Sequence, residues 1–152
     1  MEPAAEAKVE LAAEVLRSRG ELRFRATGAS MIPAIWPGTV LRVRREGAAG
    51  AGPGDVILFE RDGSLVAHRV VRRLDSAEGP VWITRGDRNR HEDAPVLERE
   101  LLGLVEGVRP QTAVQRAAAF ILRRSWFATR VALFLRRRWL ERAANDAQAK
   151  LA

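Results

Sequence analysis

The sequence contains no cysteine, and its 152 residues include only two histidines and two lysines. The absence of cysteine excludes disulfides, thiolate metal sites and cysteine nucleophiles. With only two histidines, we do not expect a multi-histidine metal centre. We therefore expect this protein to work without a metal or another cofactor. The length suits one domain of ordinary size, or a compact domain with an appended helix.

Long hydrophobic runs are also missing. The longest uncharged run, residues 26–41, contains Pro33, Pro37 and two glycines, and it is shorter than the roughly 20 apolar residues that span a bilayer. The first ten residues include three glutamates and no apolar segment typical of a secretion signal. These features predict a soluble or peripheral protein, in the cytoplasm or at a membrane surface.

Charge is distributed unevenly along the chain. Lysine and arginine number 26 and acidic residues 19, for a net charge of +7. Residues 1–110 carry 17 basic and 17 acidic side chains, whereas residues 111–152 carry nine basic and two acidic ones and account for the whole net charge. A neutral body with a basic tail differs from the broad positive surface of a typical nucleic-acid-binding domain.

The pattern of apolar residues predicts three regions. Pro3 suits the first turn of a helix and Gly20 its C-terminal cap, so we expect a helix over residues 3–19, within an N-terminal region of residues 1–20. Residues 21–110 hold short alternating or apolar segments between Gly-, Pro- and Asp-containing turns, which is typical of a mainly antiparallel β domain, strongly twisted or barrel-like. Residues 111–152 are rich in alanine and arginine and predict a long basic helix.

The predicted C-terminal helix is amphipathic over residues 112–143. At 100° per residue one side is apolar, and the other side mixes arginine with the phenylalanines Phe120, Phe127 and Phe134. Three interpretations stay open. The helix packs on the β domain or on a second copy, or it binds an anionic membrane surface. Nucleic-acid binding is the least favoured, because it needs exposed aromatic side chains beside the basic residues.

Four polar residues are candidates for chemistry: Ser30, His68, Asp87 and Asp93. Taken singly, each has an ordinary structural role, as a turn serine, a hydrogen-bonded core histidine or an aspartate in a turn. Taken together, they offer a nucleophile, a general base and a carboxylate that orients the base. An ordinary imidazole titrates near pH 6.5, which suits a general base at neutral pH. Their spacing alone does not show that they meet in space.

Four short stretches occur in the order found in one enzyme family. Ser30-Met31-Ile32-Pro33 resembles the Ser-Met-x-Pro nucleophile box of the type I signal peptidases. It is followed by the stretches 54–57 (Gly-Asp-Val-Ile), 67–70 (Ala-His-Arg-Val) and 83–89 (Ile-Thr-Arg-Gly-Asp-Arg-Asn). The similarity runs from about residue 27 to residue 105, which is over half of the chain, and four boxes in order are considerably more specific than any one of them.

The resemblance points to one branch of that family. Most bacterial members use a Ser–Lys dyad, but residues 9–149 of this chain contain no lysine. The archaeal and endoplasmic-reticulum branch has histidine in place of that lysine, and His68 stands in the matching box. The resemblance therefore implies Ser30 as nucleophile, His68 as base, and either Asp87 or Asp93 as the carboxylate that orients the base, with Asp93 favoured. Because Asp87 stands beside Gly86, we expect it mainly to hold the loop through side-chain bonds to the backbone.

The implied protein is a serine endopeptidase, a hydrolase with a signal-peptidase-like β domain that cleaves a signal, leader or propeptide with small residues near the cleavage site. Two departures from the family stand out. Gly28 occupies a position that is often serine, and the family's N-terminal membrane helix is not seen in this sequence. The alternative is a non-catalytic module on the same fold that binds a peptide, a membrane or nucleic acid.

Overall fold

The computed structural model describes residues 3–108, 113–124 and 130–138 of the chain. Short apolar segments between tight turns form seven strands in these residues, and helices flank them. The helices are α1 (Pro3–Arg19) and α2 (Ala113–Arg124), and residues 130–138 are also helical. The strands are β1 (Glu21–Arg25), β2 (Val40–Arg44), β3 (Val56–Arg61), β4 (Ser64–Ser76), β5 (Gly79–Arg85), β6 (Val96–Leu97) and β7 (Leu101–Val105). The prediction of a mainly antiparallel β protein with a helix on either side is confirmed.

The strands form one sheet in the order β1-β2-β7-β3-β4-β5-β6, and every neighbouring pair is antiparallel. Within the described residues the sheet is open, so the barrel that we considered as one possible shape is not formed. The long strand β4 pairs with β3 along residues 64–69 and with β5 along residues 69–76. As a result, β4 connects two parts of the sheet. Among the described strands, its residues 64–68 pair with β3 on one side and with no strand on the other.

The central strand β3 explains why the core has two sides. Residues Val56 to Phe59 are all buried, because alternate side chains of a strand point to opposite faces and both faces of this strand are covered. One cluster contains Leu16, Met31, Ile35, Leu41, Val43, Val56, Leu58 and Val105. The other contains Ala51, Ile57, Phe59, Val70, Trp82 and Val96. Since Leu16 belongs to α1, that helix shares a core with the sheet.

Helix α1 begins and ends where the sequence predicts. Gly20 has φ of 72°, and its N–H donates to the carbonyl of Leu16 at 3.1 Å, which closes the last turn of the helix. No helix in the described ranges is long and apolar enough to cross a membrane. Of the predicted C-terminal helix, the parts at 111–112, 125–129 and 139–152 lie outside the described residues.

Candidate active site

Ser30 lies in the loop between β1 and β2. The two residues after it, Met31 and Ile32, are buried, and the N–H of Ile35 donates to the carbonyl of Met31 at 2.9 Å. These apolar anchors hold a tight turn directly after Ser30. The carbonyl of Ser30 in turn accepts a bond from the N–H of Arg88 at 2.8 Å. The loop that carries the hydroxyl is therefore fixed both to the core and to the loop after β5.

His68 lies on β4 opposite Ile57 of β3, and only 8% of its surface is exposed. Its ring packs edge-on against Phe59, with centroids 6.3 Å apart and an angle of 70° between the planes. On one side, Nε2 lies 2.9 Å from Oγ of Ser30. The strand and the buried aromatic ring thus hold the imidazole at hydrogen-bond distance from the serine hydroxyl.

Asp93 lies on the other side of the same imidazole. Its Oδ2 is 2.7 Å from Nδ1 of His68, and its N–H donates to the carbonyl of Thr84 at 2.8 Å. Ser30 is 38 residues before His68 and Asp93 is 25 residues after it. The fold therefore brings the serine, the histidine and the later aspartate of the sequence into one continuous line of hydrogen bonds.

Thr84 is a residue of this site that the sequence analysis missed. It is fully buried on β5, and its hydroxyl donates to Oδ2 of Asp93 at 2.7 Å, the oxygen that also faces His68. In the sheet Thr84 pairs with Val70, two residues from His68 along β4. Only knowledge of that strand register would have placed Thr84 beside the histidine, because a threonine in a strand is otherwise unexceptional.

The surroundings of Asp93 favour its ionised form. Burial is the largest single influence and raises the pKa of Asp93, but hydrogen bonds from His68 and Thr84 oppose it, and nearby positive charge on Arg61 adds to them. The net effect is a pKa below the usual range for aspartate. An ionised carboxylate only accepts hydrogen bonds, so in the neutral form of His68 the ring proton belongs on Nδ1, and Nε2 accepts from the Ser30 hydroxyl.

Asp87 has a different partner from the one expected. Both of its carboxylate oxygens accept bonds from Arg69, at 2.9 Å from Nε and 2.9 Å from Nη2. The carboxylate is 3% exposed, and Arg69 also donates to the carbonyl of Gly54 at 2.6 Å. Asp87 therefore holds its loop through a buried ion pair with a side chain, and not through side-chain bonds to its own loop's backbone.

Gly86 allows the loop after β5 to approach the serine closely. A Cβ atom added at this position would lie 3.0 Å from Cβ of Ser30 and 2.9 Å from Nδ2 of Asn89. The contact with Ser30 is tighter than nine in ten contacts of real Cβ atoms, so the serine would have to shift by a few tenths of an ångström, whereas the Asn89 side chain can move away. The absence of a side chain at residue 86 thus lets the two loops of the site lie this close together.

A cavity of about 290 Å³ opens beside the serine and the histidine. Its walls come from β1, from the Ser30 loop, from Leu41 of β2 and from the first half of β4. Apart from Thr27 and the two site residues Ser30 and His68, the lining is apolar or glycine: Phe24, Ala26, Gly28, Met31, Ile35, Leu41, Leu65, Val66 and Ala67. A cavity of this size and character suits small apolar groups held next to the hydroxyl.

The second histidine, His91, is exposed in the loop after β5. Across residues 3–108, 113–124 and 130–138, no three His, Asp or Glu side chains are placed to hold a metal ion.

Neither a protein family nor a curated protein matches this sequence. What the site can do therefore follows from its geometry: a hydroxyl, an imidazole and a carboxylate in line are suited to acyl transfer.

Proposed function

We propose that this protein is a serine endopeptidase that resembles the histidine-containing branch of the type I signal peptidases. The observation that supports it most is the line from Ser30 Oγ to His68 Nε2, at 2.9 Å, and from His68 Nδ1 to Asp93 Oδ2, at 2.7 Å. Both distances are within the range expected of a nucleophile, its base and the group that orients the base.

In the first half of the proposed reaction, Ser30 Oγ attacks the carbonyl carbon of the scissile bond while its proton passes to Nε2 of His68. The carboxylate of Asp93 stabilises the imidazolium that forms. Backbone N–H groups around Ser30, with the Thr27 hydroxyl beside the cavity, are the candidate donors to the oxyanion. His68 then gives its proton to the leaving amine as the C–N bond breaks, and an ester on Ser30 remains.

In the second half, water attacks that ester. His68 takes a proton from the water, and the tetrahedral intermediate collapses with return of a proton to Ser30 Oγ and release of the carboxylate product. Asp93 keeps the imidazole in one tautomer throughout, so the same nitrogen serves both halves of the reaction.

The substrate that fits best is an extended polypeptide with small residues near the cleavage site. Among the described strands, β1 pairs only with β2, and residues 64–68 of β4 pair only with β3. Phe24 of β1 and Leu65 of β4 both border the cavity, so these uncovered edges lie where a peptide strand could add by backbone hydrogen bonds. The proposal includes a leader or propeptide as substrate, presented in the cytoplasm or at a membrane surface.

The test is covalent labelling of the purified full chain with a fluorophosphonate, together with digestion of a peptide library read by mass spectrometry. Ser30→Ala should abolish labelling and cleavage while the circular dichroism spectrum stays unchanged. Ser18→Ala is the matched control, because Ser18 is an exposed serine on α1 and does not line the cavity. It should be labelled and should cleave like the unaltered protein.

Two results would overturn the proposal. Labelling and cleavage that persist in Ser30→Ala would show that another residue is the nucleophile. A folded chain that is not labelled and cuts no peptide, yet retains peptides from the library, would indicate a binding module without catalysis.

A further inference from the structure

The C-terminal helical residues expose an unusual number of large apolar side chains. Nine large hydrophobic residues are exposed in the described part of the chain, and six of them lie within residues 113–124 and 130–138. Their exposed fractions range from 39% to 78%: Val114, Phe120, Ile121, Val131, Phe134 and Leu135. Apolar side chains concentrated on one segment in this way mark an interaction surface, whereas single exposed ones do not.

The same segment is strongly basic. Residues 111–152 carry nine basic and two acidic side chains, which is the whole net charge of the protein. Arg130, Arg137 and Arg138 are exposed, and the guanidinium of Arg138 lies 5.5 Å from the ring centroid of Phe134. Cationic and apolar groups therefore share one surface, a combination typical of helices that lie in the headgroup layer of a membrane.

We propose that residues 113–124 and 130–138 bind the surface of an anionic lipid bilayer. Charge complementarity favours this occupant over a second copy, because two copies would bring two strongly positive segments together. The exposed aliphatic side chains favour lipid over nucleic acid. Ile121, Val131 and Leu135 are aliphatic and exposed, and aliphatic side chains insert among acyl chains but do not stack on bases.

This surface is joined to the candidate active site. The guanidinium of Arg136 lies 4.9 Å from the ring centroid of Trp36, and Trp36 directly follows Ile35, which lines the cavity beside Ser30. A bilayer bound to this segment consequently lies close to the loop that carries the serine. Lipid binding itself does not need the proposed peptidase activity.

The experiment uses the full chain and sedimentation with vesicles of phosphatidylcholine, with or without phosphatidylglycerol. We expect binding only to the anionic vesicles and a decrease as salt is raised. Phe134→Ser/Leu135→Ser should weaken it by at least about tenfold. Leu11→Ser/Leu74→Ser is the matched control, since it makes the same change at two exposed positions of the body, and it should bind within about twofold of the unaltered chain.

A second pair of variants tests the charge. Arg137→Gln/Arg138→Gln should weaken binding by about fivefold for each arginine, which corresponds to about 1 kcal/mol. Arg19→Gln/Arg23→Gln removes the same charge from exposed positions of the body and should have little effect. Ser30→Ala should bind as tightly as the unaltered chain, so loss of activity and loss of lipid binding are told apart.

Insertion of the helical residues into the bilayer can be measured even if Phe134→Ser/Leu135→Ser does not fold. Because the sequence has no cysteine, Leu135→Cys can be labelled at that one position with a polarity-sensitive dye, and its emission should shift to the blue on anionic vesicles. The same dye at Leu74→Cys should not shift. The proposal is wrong if anionic vesicles do not bind the chain, if the body controls lose as much binding as the segment variants, or if Phe134→Ser/Leu135→Ser only dissociates a dimer.

Discussion

His68 and Arg69 are consecutive residues of β4, and each is bonded to a different aspartate of the loop that follows β5. Successive side chains of a strand point to opposite faces of the sheet. His68 is bonded to Asp93 and Ser30, whereas Arg69, whose side chain leaves the strand in the opposite direction, is bonded to Asp87. The two aspartates are six residues apart, so one loop is fastened to two adjacent residues of the strand and each carboxylate has its own role.

The first prediction separates these roles. Asp87→Asn leaves the buried guanidinium of Arg69 without its counter-charge, so it should lower the free energy of unfolding by about 3 kcal/mol. Asp93→Asn should lower kcat/KM by about 10⁴ with a smaller loss of stability, because the imidazole loses its oriented tautomer. Urea unfolding and peptide cleavage, measured where all variants are folded, check both. A larger loss of activity in Asp87→Asn would reassign the orienting role.

The second prediction concerns Thr84 as a positioning residue. Thr84→Val keeps the shape of the side chain but removes the donor to Asp93 Oδ2, so kcat should fall by about tenfold to a hundredfold as the carboxylate shifts. Thr84→Ser keeps the hydroxyl and should restore most of that kcat. The serine variant also loses a buried methyl group, which costs about 1 kcal/mol of stability. If the two variants had equal kcat, the hydroxyl would have no part in positioning Asp93.

The third prediction tests the close approach of the two loops. Gly86→Ala would place a Cβ atom 3.0 Å from Cβ of Ser30, so the serine loop must move and fluorophosphonate labelling should slow by at least about tenfold. Gly28→Ala is the matched control from the same site. Its added Cβ would meet only Oγ of Ser30, at an ordinary 4.0 Å, and labelling should stay within about threefold of the unaltered protein.

The fourth prediction follows from the lowered pKa of Asp93. Because the folded state holds this proton less tightly than the unfolded state, the ionised carboxylate stabilises the fold above the ordinary aspartate value of 3.8, and the stabilisation disappears as pH falls through the lower folded-state pKa. The difference in unfolding free energy between the unaltered chain and Asp93→Asn should therefore shrink as pH is lowered from 5 toward about 2. A difference that stays constant over that range would contradict the lowered pKa.

Local chemistry determined much of the secondary structure. Helix α1 occupies residues 3–19 as predicted, because a proline at its first turn and a glycine after its last turn are local signals. The segment 40–44, in which apolar residues and arginine largely alternate, forms β2 within the predicted β region. The two-residue strand β6 was not predicted, since Val96–Leu97 is too short to show a period, and only pairing with β5 makes it a strand.

The sequence by itself determined which chemical groups were available. These are Ser30 in a box with Met and Pro, two histidines, Asp87 and Asp93 in the stretch after Gly86, and no lysine between residues 9 and 149. It did not determine which of them meet, because hydrogen bonds between residues 25 and 38 positions apart depend on strand register and loop packing. The tertiary structure decided three things. It placed Asp93 rather than Asp87 against His68, it added Thr84 to the site, and it left the apolar side chains of the C-terminal helical residues exposed. The pleat of β4 explains the first, because it sends two adjacent residues to opposite faces of the sheet.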